Sequence, residues 1–318
     1  MEKSGQTSKK EDNNNSYECF NISQKQLILK RKCHTDKVTC LCLLDDGRLV
    51  SGSKDNNIII LNKKTYEPDL IIKEHKDTIN CIIKLDLNIL VSCSSDKTIK
   101  IFKIQDNKYE IMQTLNEHTD RINEIIELKN KNLVSCSNDN SIIIYHNTND
   151  NKYAKDFQIP TNGWCQCIIQ TKENEICYSE SEEDFFNIHF YDLNERKINA
   201  SVSEINITGA EPFNMITKDL LIVGGYNEMY VIDVNKYKLI KTIDMLNAGL
   251  IFGFCKINEN MFLTGGEDAV IRQWKIKGDD ISLFSKKEEA DKCIIFGLIK
   301  IGDGKIASFS DDESIKIW

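Results

Sequence analysis

The sequence predicts an all-β chain in which seven four-stranded antiparallel units stack side by side, and three observations carry that expectation. A short pattern of small residues, an Asp and an alternating apolar run recurs along the chain. Its copies are spaced by 41, 43, 46, 41, 42 and 44 residues. Between them lie short β-branched runs broken by polar turns, and no stretch sustains a 3.6-residue period. A period of this length, carried seven times, marks a repeat architecture.

The pattern reads SGSKDNNIIIL from Ser51, SCSSDKTIKIF from Ser92 and SCSNDNSIIIY from Ser135. It returns as TGGEDAVIRQW from Thr264 and SFSDDESIKIW from Ser308. In these five units an Asp precedes an aromatic residue or leucine by six positions: Asp55/Leu61, Asp96/Phe102, Asp139/Tyr145, Asp268/Trp274 and Asp312/Trp318. Two looser copies end at Tyr191 and Ile232. In unit two, INCIIKLDLNILVSCS from Ile79 supplies two apolar runs joined by a polar turn. A tight turn at Asp96, the alternating TIKIF and the later EIMQTL complete four strands per period. Asn and Asp take turn positions that glycine fills elsewhere, because both tolerate the left-handed backbone. One such sheet buries too little to stand alone, so the units must stack.

Composition narrows the class. The 318 residues are 41% hydrophobic and 28% charged, enough for a core and a soluble surface. A formal charge of −8 opposes a main role in neutralising nucleic-acid phosphates. No apolar run is long enough to cross a bilayer as a helix. The start, MEKSGQTSKKEDNNNSYE, lacks the apolar core of a secretory signal, and residues 1–24 are expected to form a disordered polar tail. The twelve cysteines then read as reduced thiols. Cys40/Cys42 and Cys165/Cys167 sit in alternating apolar stretches and read as packed core thiols, without the second ligand pair that zinc requires. No metal and no cofactor is expected.

On these residues the units resemble WD repeats, over about residues 25–318. The resemblance implies one seven-bladed β-propeller of four-stranded antiparallel blades, ending near Leu61, Phe102, Tyr145, Tyr191, Ile232, Trp274 and Trp318. In that family a His precedes the first strand and an Asp sits in the turn between the second and third. Here His34, His75 and His118 each lie 21 residues before Asp55, Asp96 and Asp139. The sequence also departs from the family. Trp-Asp never occurs, and the His position becomes Thr161, Asn206, Asn247 and Asp291 in units four to seven. His75, Asp96 and Ser92 suggest a nucleophilic triad, but the trio recurs in three units. A structural role for His34, Asp55, His75, Asp96, His118, Asp139, Asp268 and Asp312, tying the loop before the first strand to the turn, is the expectation.

Trp318 ends a third strand, so blade seven lacks an outer one, while KQLILKRKCH at 25–34 resembles the outer strand PDLIIKEH at 68–75. Residues 25–32 are therefore expected to pair with the last blade and close the ring.

The resemblance implies a non-catalytic intracellular scaffold or adaptor, cytoplasmic or nuclear, a monomeric propeller binding proteins or peptides within a multiprotein complex. One alternative is a subunit docking onto RNA or a ribonucleoprotein, which the acidic balance opposes although the basic stretch LKRKCHTDK at 29–37 could touch phosphate. The other is an enzyme using the central channel. Unit four supplies the local candidate. There TNGWCQCII aligns with HKDTINCII and puts Trp164 where unit two has Thr78. SESEEDFF, residues 179–186, reads as a lengthened turn on the same face carrying Glu180, Glu182, Glu183 and Asp184. An exposed Trp beside carboxylates suits a basic peptide. The competing arrangement packs Trp164 between blades and leaves the turn solvated.

Overall fold

The computed structural model describes residues 20–318 apart from 87, 150, 183–184, 204, 206–211, 246, 279 and 289. Its twenty-eight strands form seven four-stranded antiparallel sheets. The first strand, β1 (Leu29–Lys32), is set apart from its neighbours in sequence. Blade one is β2 (Val38–Leu43), β3 (Leu49–Ser53), β4 (Ile58–Leu61) and β5 (Pro68–Ile72). Blade two is β6 (Ile79–Lys84), β7 (Ile89–Ser94), β8 (Ile99–Gln105) and β9 (Lys108–Leu115). Blade three is β10 (Ile122–Glu127), β11 (Leu133–Ser137), β12 (Ser141–Asn149) and β13 (Lys152–Pro160). Blade four is β14 (Cys165–Lys172), β15 (Glu175–Glu182), β16 (Phe185–Asp192) and β17 (Lys197–Val202). Blade five is β18 (Phe213–Met215), β19 (Leu220–Gly224), β20 (Glu228–Asp233) and β21 (Lys238–Asp244). Blade six is β22 (Ile251–Asn258), β23 (Met261–Gly266), β24 (Ile271–Lys277) and β25 (Asp280–Lys287). Blade seven takes β26 (Ile295–Ile301), β27 (Lys305–Ser310) and β28 (Ser314–Ile317) from the end of the chain, with β1 as its outer strand.

Strands at equal depth share a character because they share a place in the ring. Second strands such as β3, β7, β11 and β23 are buried at every residue, since both faces meet a neighbouring blade. Outer strands such as β1 and β21 alternate, with one side in water. Seven apolar clusters occupy the joints between successive blades. The one between blades seven and one gathers Leu49, Ile59 and Leu61 with Ile301, Phe309 and Ile317. There β1 pairs in register with β28, Leu29 opposite Ile317 and Lys32 opposite Ser314.

The tight turn between second and third strands follows from its Asp. The next residue takes a positive φ in five blades, at Asn56, Lys97, Asn140, Ala269 and Glu313. Side-chain oxygens of Asp55, Asp96, Asp268 and Asp312 accept the N–H two residues on, which offsets the cost of that backbone for residues with a Cβ.

One boundary differs from the sequence expectation. Residues 20–24, assigned to the disordered tail, lie on the outside of blade six. A 3-10 turn at Ile22–Gln24 buries Ile22 completely among Met261, Leu263 and Ile271. Gln273 fixes it, accepting from the Ile22 N–H at 2.9 Å and donating to the Phe20 carbonyl at 2.8 Å. Two apolar residues, Phe20 and Ile22, are too few to show in a polar stretch, and only the tertiary contact reveals them. Residues 1–19 lie outside the described residues.

Deleting residues 1–16 is expected to leave the melting temperature unchanged, whereas deleting 1–33 removes β1 and yields an aggregating chain. Ile22→Ala is expected to cost about 2–5 kcal/mol in denaturant unfolding. Equal melting of all these chains would contradict the closure and the Ile22 contact together.

Candidate partner-binding site

Two polar systems organise the face on which the loops enter the innermost strands. The first ties loop to turn in blades one to three. In blades one to three, His34, His75 and His118 meet Asp55, Asp96 and Asp139 through Nδ1 at 2.8–2.9 Å. Their Nε2 atoms meet the hydroxyls of Ser51, Ser92 and Ser135 at 2.7–2.8 Å. A carboxylate only accepts, so Nδ1 carries the proton and Nε2 accepts from the serine. Burial works against charge on Asp55, but hydrogen bonds from His34 and from the Thr35 and Asn57 N–H groups outweigh it and hold the carboxyl at about 2. The serine hydroxyls of these trios belong to fully buried residues, which puts them out of reach of a substrate.

Blades four, six and seven pair their acid with a basic group from elsewhere in the blade. Their basic group comes from the third strand, at the position opposite Tyr178, Thr264 and Ser308. His189 meets Glu180 at 2.9 Å, Arg272 meets Asp268 at 2.5 Å, and Lys316 meets both Asp291 and Asp312. Asp291, where the repeat would place a His, is thus an inverted pair with Lys316. In blades six and seven Trp274 and Trp318 also donate through Nε1 to Thr264 and Ser308 at 3.0 and 2.9 Å. Asn206 lies outside the described residues.

The second system lines the central channel, a cavity of about 820 Å³. The residues just before the innermost strands of blades one to four are Lys37, Thr78, Arg121 and Trp164. Their carbonyls accept from the N–H groups of Lys54, Ser95, Asn138 and Ser181 at 2.9–3.0 Å. Two residues deeper, Thr39, Asn80 and Asn123 each donate to the first carbonyl of the next blade's innermost strand, those of Ile79, Ile122 and Cys165. Gln166 holds that position in blade four, and its Oε1 is buried without a hydrogen-bond partner among the described residues. In blades six and seven Phe252 and Phe296 stand there instead, edge to face at 5.5 Å.

Trp164 is 53% exposed at the channel mouth, whereas Trp274 and Trp318 are each 4% exposed. It does not pack between blades. Gly163 explains its placement: a Cβ there would run into the backbone carbonyl of Ser181, so only glycine lets the entrance loop lie against the β15–β16 hairpin.

The acidic half of the candidate is placed differently from the sequence expectation. Ser179–Glu182 belong to β15, not to a lengthened turn, and Glu182 pairs directly with Phe185 of β16. Glu180 is 2% exposed. It faces inward, accepting from the Asn162 and Gly163 N–H groups and pairing with His189. Burial raises its pKa, but the His189 contact and those N–H groups outweigh this and lower it. Glu180 therefore secures the loop that presents Trp164 and offers nothing to a partner. Glu183 and Asp184 lie outside the described residues, as does the side chain of Glu182.

Sequence reasoning passed over the cations and one acid of the lining. Lys54 and Arg121 line the mouth and have no ion-pair partner among the described residues. Glu124 occupies the wall position that Cys40, Cys81 and Cys167 hold in blades one, two and four. Burial pushes its carboxyl up to about 7, one hydrogen bond from the Ile168 N–H at 2.8 Å offsetting this only in part. An acid replacing a thiol at an inward repeat position was the signal available.

Seven four-stranded blades around a channel define a β-propeller. A family model, that of the WD domain, G-beta repeat, matches residues 25–62, 66–103 and 109–146, which take in most of blades one to three. Blades one to three are thus similar to WD repeats, within a seven-bladed β-propeller. Blades four to seven keep the four strands without the loop His, and blades six and seven retain the turn Asp as Asp268 and Asp312. No curated protein matches the chain.

Two predictions follow from these pairs. A carboxyl whose folded pKa lies above its unfolded value of about 4.3 favours folding while protonated, so its contribution is lost as pH rises from there through about 7. Glu124→Gln is expected to remove that fall, melting above the parent at pH 8 and alike at pH 4. Lys316→Ala strands the Asp291 carboxylate and is expected to cost about 3–5 kcal/mol in urea unfolding.

Proposed function

We propose that the protein is a non-catalytic scaffold that holds a segment of a protein partner at the channel mouth, with Trp164 as the anchor. Propellers of this family are in general protein-interaction platforms. Trp164 carries the reading: it is a large aromatic side chain left in water by a fold that buries both other tryptophans. Among the described residues no helix is long and apolar enough to cross a membrane.

The charges along the lining favour an acidic segment. Lys37, Lys54 and Arg121 face a single carboxyl, Glu124, and only Lys37 is already paired, with Asp311. Gln166 Oε1 supplies an acceptor for a backbone N–H of the same segment. A basic segment is the second reading. It rests on the acidic run Glu182, Glu183 and Asp184 in the sequence, now without Glu180.

Affinity capture with mass spectrometry tests the role. Trp164→Ala, an exposed change expected to leave stability within about 0.5 kcal/mol, should lose the captured partner. Lys54→Glu with Arg121→Glu should lose an acidic partner and spare a basic one. Glu182→Lys with Glu183→Lys should do the reverse. Folded variants that keep every partner would refute the site, and co-purifying RNA released by salt would favour the ribonucleoprotein role.

A further inference from the structure

The wall of the channel carries a feature that partner binding does not use. At one inward position, blade one sets Cys40 opposite Gly52, blade two sets Cys81 opposite Cys93, and blade three sets Glu124 opposite Cys136. Among these blades only the second places two thiols on directly opposed residues of antiparallel neighbours. Opposed residues of this kind have Cα atoms roughly 4.5–5.5 Å apart, inside the range a disulfide spans. A bulge between Ile79 and Cys81 gives β6 its extra residue just before the pair.

Both sulfurs point the same way. Cys81 Sγ lies 3.7 Å from the Ile125 carbonyl and Cys93 Sγ 3.8 Å from the Ile122 carbonyl, both on β10 of the next blade. Access is unequal. Cys81 is half-buried and lines the channel, so a small oxidant reaches it from solvent, whereas Cys93 is fully buried behind it. That is the arrangement of an attacked thiol and a resolving thiol.

We propose that Cys81 and Cys93 form a reversible dithiol–disulfide pair, oxidised through the channel by hydrogen peroxide. Cys81 attacks the peroxide, taking one oxygen as a sulfenic acid and releasing water. Cys93 then displaces that oxygen as a second water, leaving the S–S bond. Two thiols thus give up two electrons and two protons to one peroxide. The bond removes both S–H donors from the β10 carbonyls, so oxidation acts on the joint between blades two and three.

Digestion after lysine and arginine isolates the two residues on adjacent peptides, DTINCIIK (77–84) and LDLNILVSCSSDK (85–97), each with one cysteine. The full chain is treated in its native state with hydrogen peroxide, alkylated in denaturant, digested without reductant and analysed by mass spectrometry. The expected result is a linked pair two hydrogens lighter than the free peptides, separated by dithiothreitol. Cys81→Ser should abolish the link and leave Cys93 alkylated, while Cys40→Ser should preserve it. Over-oxidised Cys81 beside free Cys93, a link from Cys81 to the peptide VTCLCLLDDGR (38–48), or full alkylation of both would each overturn the pairing.

Discussion

A four-stranded antiparallel sheet whose inner strands are apolar on both faces has no stable existence in water, and everything else in this molecule answers to that constraint. Each blade covers its two faces only with its two neighbours, which is why the apolar clusters fall at the joints and not within blades. A ring satisfies the condition for every member at once. It also makes the joint between first and last blades as necessary as the others, so β1 and β28, about 285 residues apart, are parts of one sheet. The contact of Phe20 and Ile22 with blade six extends the same logic to the outside of the ring.

Within that frame the polar residues act as local ties and are exchangeable. The loop before the innermost strand and the turn between second and third strands both bring backbone N–H groups into partly buried space. One carboxylate can satisfy them, provided a basic side chain donates a hydrogen bond to it. Blades one to three take the base from the loop as His34, His75 and His118. Blades four, six and seven take it from the third strand as His189, Arg272 and Lys316. The two solutions differ in sequence position and converge in space, which explains how the family pattern fades along the chain while the blade persists. Blade four shows a further use of such a tie: Glu180, turned inward, holds the loop that presents Trp164.

The channel wall shows a different economy. Equivalent inward positions recur from blade to blade, so their side chains line up as layers around the channel. Amides and a threonine link blades one to four, while facing rings close the gap between blades six and seven. The result is a polar half and an aromatic half. Lys54, Arg121, Gln166 and Trp164 stand on the polar half, around the mouth that the proposed partner occupies.

The number of blades, their strand order and the anchors Leu61, Phe102, Tyr145, Tyr191, Ile232, Trp274 and Trp318 were legible in the sequence, because a repeat writes its period into residue spacing. So was the His–Asp pairing, since its partners keep a fixed separation of 21 residues. What tertiary structure alone decided was which way side chains face where the repeat is broken. Glu180 and Glu182 are two residues apart in one acidic run, yet the run is strand and not turn, and Glu180 turns inward to His189. Ile22 is buried by a blade some 250 residues away, and Lys316 meets Asp291 where the repeat would call for a His. Sequence spacing determines contacts that recur at fixed separation. Contacts made once, between residues far apart along the chain, depend on the closed ring, and only the folded molecule shows them.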